Sequence, residues 1–559
     1  MPDSSINSII EKIKKMNTLL KQPVRNPHRA FNEFPHDLMT GVSSRKNNKL
    51  TTSSAESFQE NFFQLSVDNL TKDYREKDPQ DLMREGEMLA LKLFHKAAER
   101  VPAYKDFLQK NSIDHRLIRT IDDFKRVPII DKKNYLRAYS LKELCWDGKI
   151  DNLYVLSSSS GSTGEPFMWP RGEEQELEGG LNFELIFKEI FEAHKYKTLY
   201  IVCFAMGTWI SGPFVLACAE YLNRKGYPVL TVTPGLDTSV TYSLFKNLAD
   251  QFDQIVISGY PPYIKDILDG GKANGINWKK YKIKFLFAAE GFSEKWRKYV
   301  LEQVGAKNHL TASVNIYGSA DAAILAYETP VATAIRQAIA VNSKYLQTFF
   351  GDSRTPTLAQ YDPRLKYFEN VEGKLIFTTR SGLPLVRYSI GDNGGLFAFQ
   401  EMETKLSTVT KKSLADIMKT NSCSDKLWKL PFVYLFGRAD FTVSLYGLLI
   451  YPEHIKYGLE SKKLQKYLTG KFTMSIEFSE SQDPYLLIRV EMAEGVKASS
   501  TLVRTIEKEI INGLEEVNSE YNRLLDSVGK RACPVIELYE HGNVEYFRKG
   551  AKQKWTLKQ

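Results

Sequence analysis

Apolar and polar positions divide the chain into three stretches. Residues 1–88 are polar and rich in Lys, Asn and Ser, and they predict helical pieces joined by irregular chain. From Leu89 the pattern changes. Leu89, Leu91, Leu93 and Phe94 in a Lys/Glu background predict an amphipathic helix, ended at Arg100-Val101-Pro102. Strand-like apolar runs follow at Thr198–Met206, Pro228–Val232, Gln254–Ser258, Ile283–Ala289 and Ser313–Tyr317, with helical patterns between them. That alternation predicts βαβ units and a mostly parallel sheet. Further strands are predicted at Lys374–Arg380, Leu385–Tyr388 and Pro431–Phe436, with a polar turn over Ser389–Gly395. Past Gly437 the pattern shifts to short strands (Thr442–Leu445, Phe472–Glu477, Tyr485–Met492) and helices (Pro452–Leu468, Ser499–Glu520). The fold class is therefore α/β: a large N-terminal domain of parallel-sheet units, 89–437, followed by a small α+β domain, 438–559.

Leu199–Ala219 carries no charge and is long enough to span a bilayer. Gly207, Gly212 and Pro213 interrupt it, so it reads as a buried strand, a loop and a helix opening near Pro213, with no membrane span. No signal peptide is apparent, because Glu11, Lys12, Lys14 and Lys15 break the first apolar stretch.

Composition narrows the function classes. The 559 residues are 43% hydrophobic and 12% aromatic, as expected of globular domains with a large core. The net charge of +9 comes from 76 basic against 67 acidic residues, which gives no nucleic-acid footprint. Five scattered cysteines form no Cys-x-x-Cys pair, and eight histidines show no zinc spacing. A reducing, cytoplasmic location fits.

One loop stands out. After the apolar run Leu153–Leu156, residues Ser157–Gly164 hold six hydroxyl side chains and two glycines. Glycine permits close backbone approach, and N–H groups with hydroxyls form an anion cradle. On composition the stretch also reads as a flexible linker. The stiff apolar Pro166–Pro170 after it weighs against that reading, and no Walker lysine follows the glycines. In open α/β sheets ligands sit beyond the carboxyl ends of strands. The corresponding loops are Gly207–Gly212, Pro234-Gly235, Gly259–Pro262, Glu290-Gly291 and Gly318–Asp321.

Taken with four later motifs, the loop resembles the phosphate loop of the AMP-forming adenylating enzymes, in their phenylacetate–coenzyme A ligase-like branch. Ser158–Pro166 matches that loop, Asn315–Asp321 the aromatic-Gly-x-x-acid motif and Arg387–Asp392 the Tyr-x-x-Gly-Asp motif. Gly437–Asp440 resembles the hinge, and Gly550–Trp555 the C-terminal Gly-x-Lys segment. Arg100–Tyr104 and Val127–Lys132 are also similar to this branch. The resemblance covers about residues 90–559 and leaves the N-terminal extension outside.

The resemblance implies a two-step ligase. A small carboxylic acid attacks the α-phosphate of ATP, giving an acyl-adenylate and pyrophosphate, and a thiol, most often coenzyme A, then displaces AMP. It implies that Ser160, Gly161, Ser162, Thr163 and Gly164 hold the pyrophosphate side. Glu290, Gly291, Tyr317 and Gly318 would line the adenine pocket, Asp392 would accept from the ribose hydroxyls, and Arg438 would contact ribose or phosphate. Asp321 would ligate Mg²⁺, and Asp440 would be the hinge of a mobile lid. Lys552 would be the catalytic cation, with Lys549 and Lys554 as alternatives. Phe204, Gly207, Trp209 and Tyr260 are candidates for the acid pocket, and their aromatic character suits an apolar acid. The same adenylation with a protein Cys, carrier thiol or amine as acceptor stays open, as does a nucleotide-binding relative that has lost catalysis. A second copy of the chain, forming a homodimer, is a candidate partner.

Overall fold

The computed structural model describes residues 66–151, 153–159, 167–352, 355–438, 443–464, 466–543 and 545–547. All of them fall in one compact unit.

The described chain opens with two helices, Val67–Glu76 and Pro79–Arg100. Ser66 and Asp78 cap them by accepting from Asp68 N and Gln80 N. Pro102 forces Val101 into extended backbone, which ends the second helix and starts Pro102–Lys110. Residues 67–88, read from sequence as part of an extension, are thus helical and anchored. The Tyr74 hydroxyl donates to Asp362 Oδ2 at 2.9 Å, and Arg364 donates to Asp73 at 2.8 Å.

β1 (Leu153–Ser159) and β2 (Phe167–Gly172) pair antiparallel. The next eleven strands form one sheet. They are β3 (Thr198–Cys203), β4 (Val229–Val232), β5 (Gln254–Gly259), β6 (Ile283–Ala288), β7 (Ser313–Ser319), β8 (Ala323–Tyr327), β9 (Thr357–Gln360), β10 (Lys366–Val371), β11 (Lys374–Thr379), β12 (Leu385–Phe397) and β13 (Phe432–Arg438). Their order is β10-β11-β12-β13-β9-β8-β7-β6-β5-β3-β4. β3 to β7 are mutually parallel and correspond to the five apolar runs. The other six strands are antiparallel, so the sheet is mixed rather than mostly parallel. The two halves meet where β7 pairs antiparallel with β8, and β8 in turn pairs with β9 at a single position, Tyr327 opposite Gln360.

The polar turn predicted over Ser389–Gly395 is strand. β12 continues through it, with a bulge where Lys374 faces Asn393 but Ile376 faces Ser389. Gly391 sits in that bulge at φ +88°, which glycine reaches without strain.

The apolar stretch at 199–219 resolves into β3 and the helix Ser211–Arg224. Among the described residues no helix is long and apolar enough to cross a membrane. One core packs Phe94, Tyr104 and Phe124 against Phe377 and Tyr388, and a second gathers Ile335, Phe350, Met402 and Phe432.

The C-terminal part is α+β, as expected. β14 (Val443–Leu445) and β15 (Leu448–Ile450) form a hairpin. β16 (Leu468–Phe478), β17 (Pro484–Met492) and β18 (Val535–Tyr539) form a separate sheet. β17 and β18 are parallel and are connected through the helices Ser500–Val517 and Ser519–Val528.

Candidate active site

The loops beyond β3, β5, β6 and β7 gather most of the described candidate residues. The Ser158 N–H donates to Thr208 O at 2.8 Å, and its hydroxyl lies 3.1 Å from that of Thr208. This ties the end of β1 to the loop carrying Gly207 (φ +86°) and Trp209. Ser160, Gly161, Ser162, Thr163 and Gly164 lie outside the described residues.

Two acid–phenol pairs form the polar floor. The Tyr317 hydroxyl donates to Asp392 Oδ2 at 2.6 Å, and both residues are buried. The Tyr317 ring, an adenine-stacking candidate, packs near-parallel to Phe368 and belongs to the first core. Gly318 has no room for a side chain, since a Cβ there would stand 2.5 Å from Ala323 O. In the second pair the Tyr388 hydroxyl donates to Asp321 Oδ2 at 2.5 Å. Lys132 Nζ lies 3.6 Å from Asp321 Oδ1 and 5.4 Å from the centre of the buried Trp169 ring.

This setting tests Asp321 as a Mg²⁺ ligand. Magnesium takes one or two carboxylates together with phosphate and water oxygens. Here one carboxylate stands with an ammonium already facing it, and no group of three His, Cys, Asp or Glu among the described residues is arranged for a metal. An ion at Asp321 would therefore take most of its ligands from phosphate and water.

Glu290 follows Ala289, a non-glycine residue at φ +74°, a backbone strain that surrounding structure must impose. The turn directs the Glu290 carboxylate toward the C-terminal hairpin. Its Oε1 accepts from Gly447 N–H and, at 3.2 Å, from the Ser444 hydroxyl. Burial pushes the carboxyl up to about 7 against these two donors, which pull it down. The Glu290 carbonyl faces Asn315 Nδ2 at 3.3 Å, and a Cβ on Gly291 would meet Thr357 Oγ1 at 3.1 Å. Phe204 and Tyr260 are buried edge-to-face at 5.1 Å, and the Tyr260 hydroxyl lies 3.1 Å from Ser211 Oγ. Gly447 packs on the Tyr260 ring, leaving no space for a Cβ.

Arg438 stands opposite Asp392 in the β12–β13 register. Asp440 and Lys552 lie outside the described residues. Sequence reasoning gave no role to Lys132, Trp169, Tyr388, Ser444 or Gly447. Lys132 and Tyr388 fall inside motifs quoted for the resemblance, which was the available signal. A cavity of about 50 Å³ lined by Leu89, Leu93, Glu178, Arg364 and Thr379 contains none of the candidate residues.

No family model matches the chain. Over 300 residues it is 23% identical to phenylacetate-coenzyme A ligase of Thermus thermophilus, covering 53% of this chain and 61% of that protein. The match thus spans less than two thirds of the relative's length. The crystal structure of 2-hydroxyisobutyryl-CoA ligase in complex with 2-HIB-AMP and CoA superposes with a TM-score of 0.59 at 15% identity. That superposition covers 87% of this chain and 91% of the ligase, and the likeness is one of fold. The chain shares the fold of that ligase. In this fold the Tyr317–Asp392 and Tyr388–Asp321 pairs join the end of β7 and the residues after it to β12.

Proposed function

We propose that the chain is an AMP-forming acid–thiol ligase. A carboxylate oxygen of a small acid attacks the α-phosphorus of ATP, the α–β phosphoanhydride bond breaks, and pyrophosphate leaves. A thiolate then attacks the acyl carbon of this mixed anhydride, the acyl carbon–oxygen bond breaks, and AMP leaves with the electron pair. The observation that carries this reading is Asp392. It is a buried carboxylate oriented by the Tyr317 hydroxyl in a fold shared with a ligase solved with an acyl-AMP and CoA.

A carboxylate fixed in this way suits two vicinal ribose hydroxyls, because its oxygens can each accept. Lys132 beside Asp321 supplies positive charge near where triphosphate would lie. The hydroxyl loop 160–164 is proposed for the pyrophosphate and Lys552 for the charge developing at the α-phosphate. Magnesium is assigned no step here. Coenzyme A is the proposed thiol, by analogy with the partial relative. A homodimer and a cytoplasmic location belong to the same reading.

The test is ATP–pyrophosphate exchange over a panel of small carboxylic acids, with hydroxylamine trapping of the adenylate. Addition of coenzyme A should then convert the best acid to a thioester. Exchange with no acid would remove the adenylating activity, and exchange without a thioester would remove coenzyme A as acceptor.

A further inference from the structure

The loop after β6 is tied to a buried ion-pair network through the Phe292 carbonyl. Within it, the Phe292 ring has two buried guanidinium groups close by, Arg297 at 4.8 Å and Arg336 at 5.5 Å from the ring centre. Arg336 also donates to the Phe292 carbonyl at 2.5 Å. Both arginines are paired with the fully buried Glu328 and with Glu294. A four-charge network therefore fixes residue 292, and the left-handed turn at Ala289 fixes the approach from the other side. What the loop holds between them is the Glu290 carboxylate, aimed at a main-chain N–H of the C-terminal part.

We propose that Glu290 is the docking acceptor for the C-terminal part, a positioning residue that seats the Tyr446-Gly447 turn against Tyr260. The seat is specific in both partners. Gly447 reaches it at φ +79° with its Cα against the Tyr260 ring, a position no side chain could share. Ser444 adds a second donor to the same oxygen. Two ion pairs add to the docked face: Lys265 with Asp483 at 2.8 Å, and Asp266 with Arg531, whose charges also act on the Tyr446 side chain of the turn. The effect of this seat on the two half-reactions rests on the ligase reading above, whereas the docking does not.

Hydrogen exchange of the full chain without ligands decides the docking. Peptides covering 443–451 should exchange at least about fivefold faster in Glu290→Ala, which removes the acceptor of two hydrogen bonds, and more modestly faster in Ser444→Ala, which removes one donor. Unchanged protection in both variants overturns the proposal. If Glu290→Ala also loosens the β3–β7 peptides, Ser444→Ala alone decides, and an effect under about twofold there overturns it. In activity, Glu290→Ala should slow acyl transfer to the thiol at least about tenfold more than it slows pyrophosphate exchange, the scale of losing an acceptor shared by two donors. Equal losses in both steps overturn the positioning role. A wild-type chain showing no acid-dependent exchange would sink the ligase reading, while the exchange protection at 443–451 would still judge the docking.

Discussion

The Tyr317 hydroxyl reaches Asp392 across 2.6 Å although three strands separate β7 from β12 in the sheet order. In a flat sheet four inter-strand steps would hold them roughly 19 Å apart. The antiparallel half must therefore curl back over the ends of the parallel strands. The single residue pair between β8 and β9 is a narrow seam about which it can bend.

Asp392 should be needed for nucleotide binding and Tyr317 for its aim. Asp392→Ala is expected to raise the KM for ATP in pyrophosphate exchange by about 10- to 100-fold, the scale of losing charged hydrogen bonds. Tyr317→Phe removes only the orienting donor and should cost about threefold to tenfold. A Tyr317→Phe loss as large as that of Asp392→Ala would mean the hydroxyl itself meets substrate.

The Lys132–Asp321 pairing predicts how magnesium behaves. Asp321→Asn should lower the rate yet leave the half-maximal Mg²⁺ concentration within about twofold of wild type, since a paired carboxylate offers the ion little. A shift of about tenfold or more in a Mg²⁺ titration would restore Asp321 as a ligand.

Lys552 carries the adenylation proposal at the C-terminal end. Lys552→Ala should reduce pyrophosphate exchange by at least about 10²-fold, the cost of one charge-stabilising donor. Thiolysis of a supplied acyl-adenylate should stay near wild type. Equal loss in both half-reactions would point to Lys549, Lys554 or a folding defect.

Glu328 has a structural role. Its carboxylate is fully buried between Arg297 and Arg336. Glu328→Ala leaves two buried guanidinium groups short of a partner and should destabilise the chain by about 3 kcal/mol or more. Denaturant unfolding followed by tryptophan fluorescence measures this, and a loss under about 1 kcal/mol would mean Glu294 suffices.

Stability should respond to pH through Glu290. Its carboxyl is raised from 4.5 to about 7 by burial, so the folded chain favours the protonated form. That contribution is fully present below pH 4.5 and is lost as pH rises through about 7. Glu290→Gln is neutral throughout. Its thermal midpoint should therefore gain on wild type between about pH 5 and about pH 8. A gap that moves the other way would show that the ionised carboxylate is the stabilised form.

The parallel half of the fold was legible because each of its strands is a mostly apolar run with glycine close by. The antiparallel half was harder to read. Ala323–Tyr327 is five residues long, too short for its period to separate strand from helix, and Lys366–Val371 mixes charge with aromatics. The glycines and polar residues of Ser389–Gly395 suggested a turn, whereas they make the bulge that lets β12 curve. Ser499–Glu520 looked like one helix because its apolar period runs on past Asn518. The Asn518 side chain instead accepts from Glu520 N and Tyr521 N and starts a second helix. In the site, motif spacing located Tyr317, Asp321 and Asp392. It could not show that Tyr388, 67 positions from Asp321, would be its hydrogen-bond donor. Nor could it show that Glu290 would turn its carboxylate to a residue 157 positions away.

That last contact draws mainly on backbone. The donor is a peptide N–H, and the residue bearing it is glycine because Tyr260 leaves no room for a side chain. Hairpin residues that face away from Glu290 and Tyr260 are free to drift, whereas one inserted residue between Leu445 and Leu448 would carry the N–H past its acceptor. Among relatives of this chain, the length of that turn should be held more tightly than its spelling.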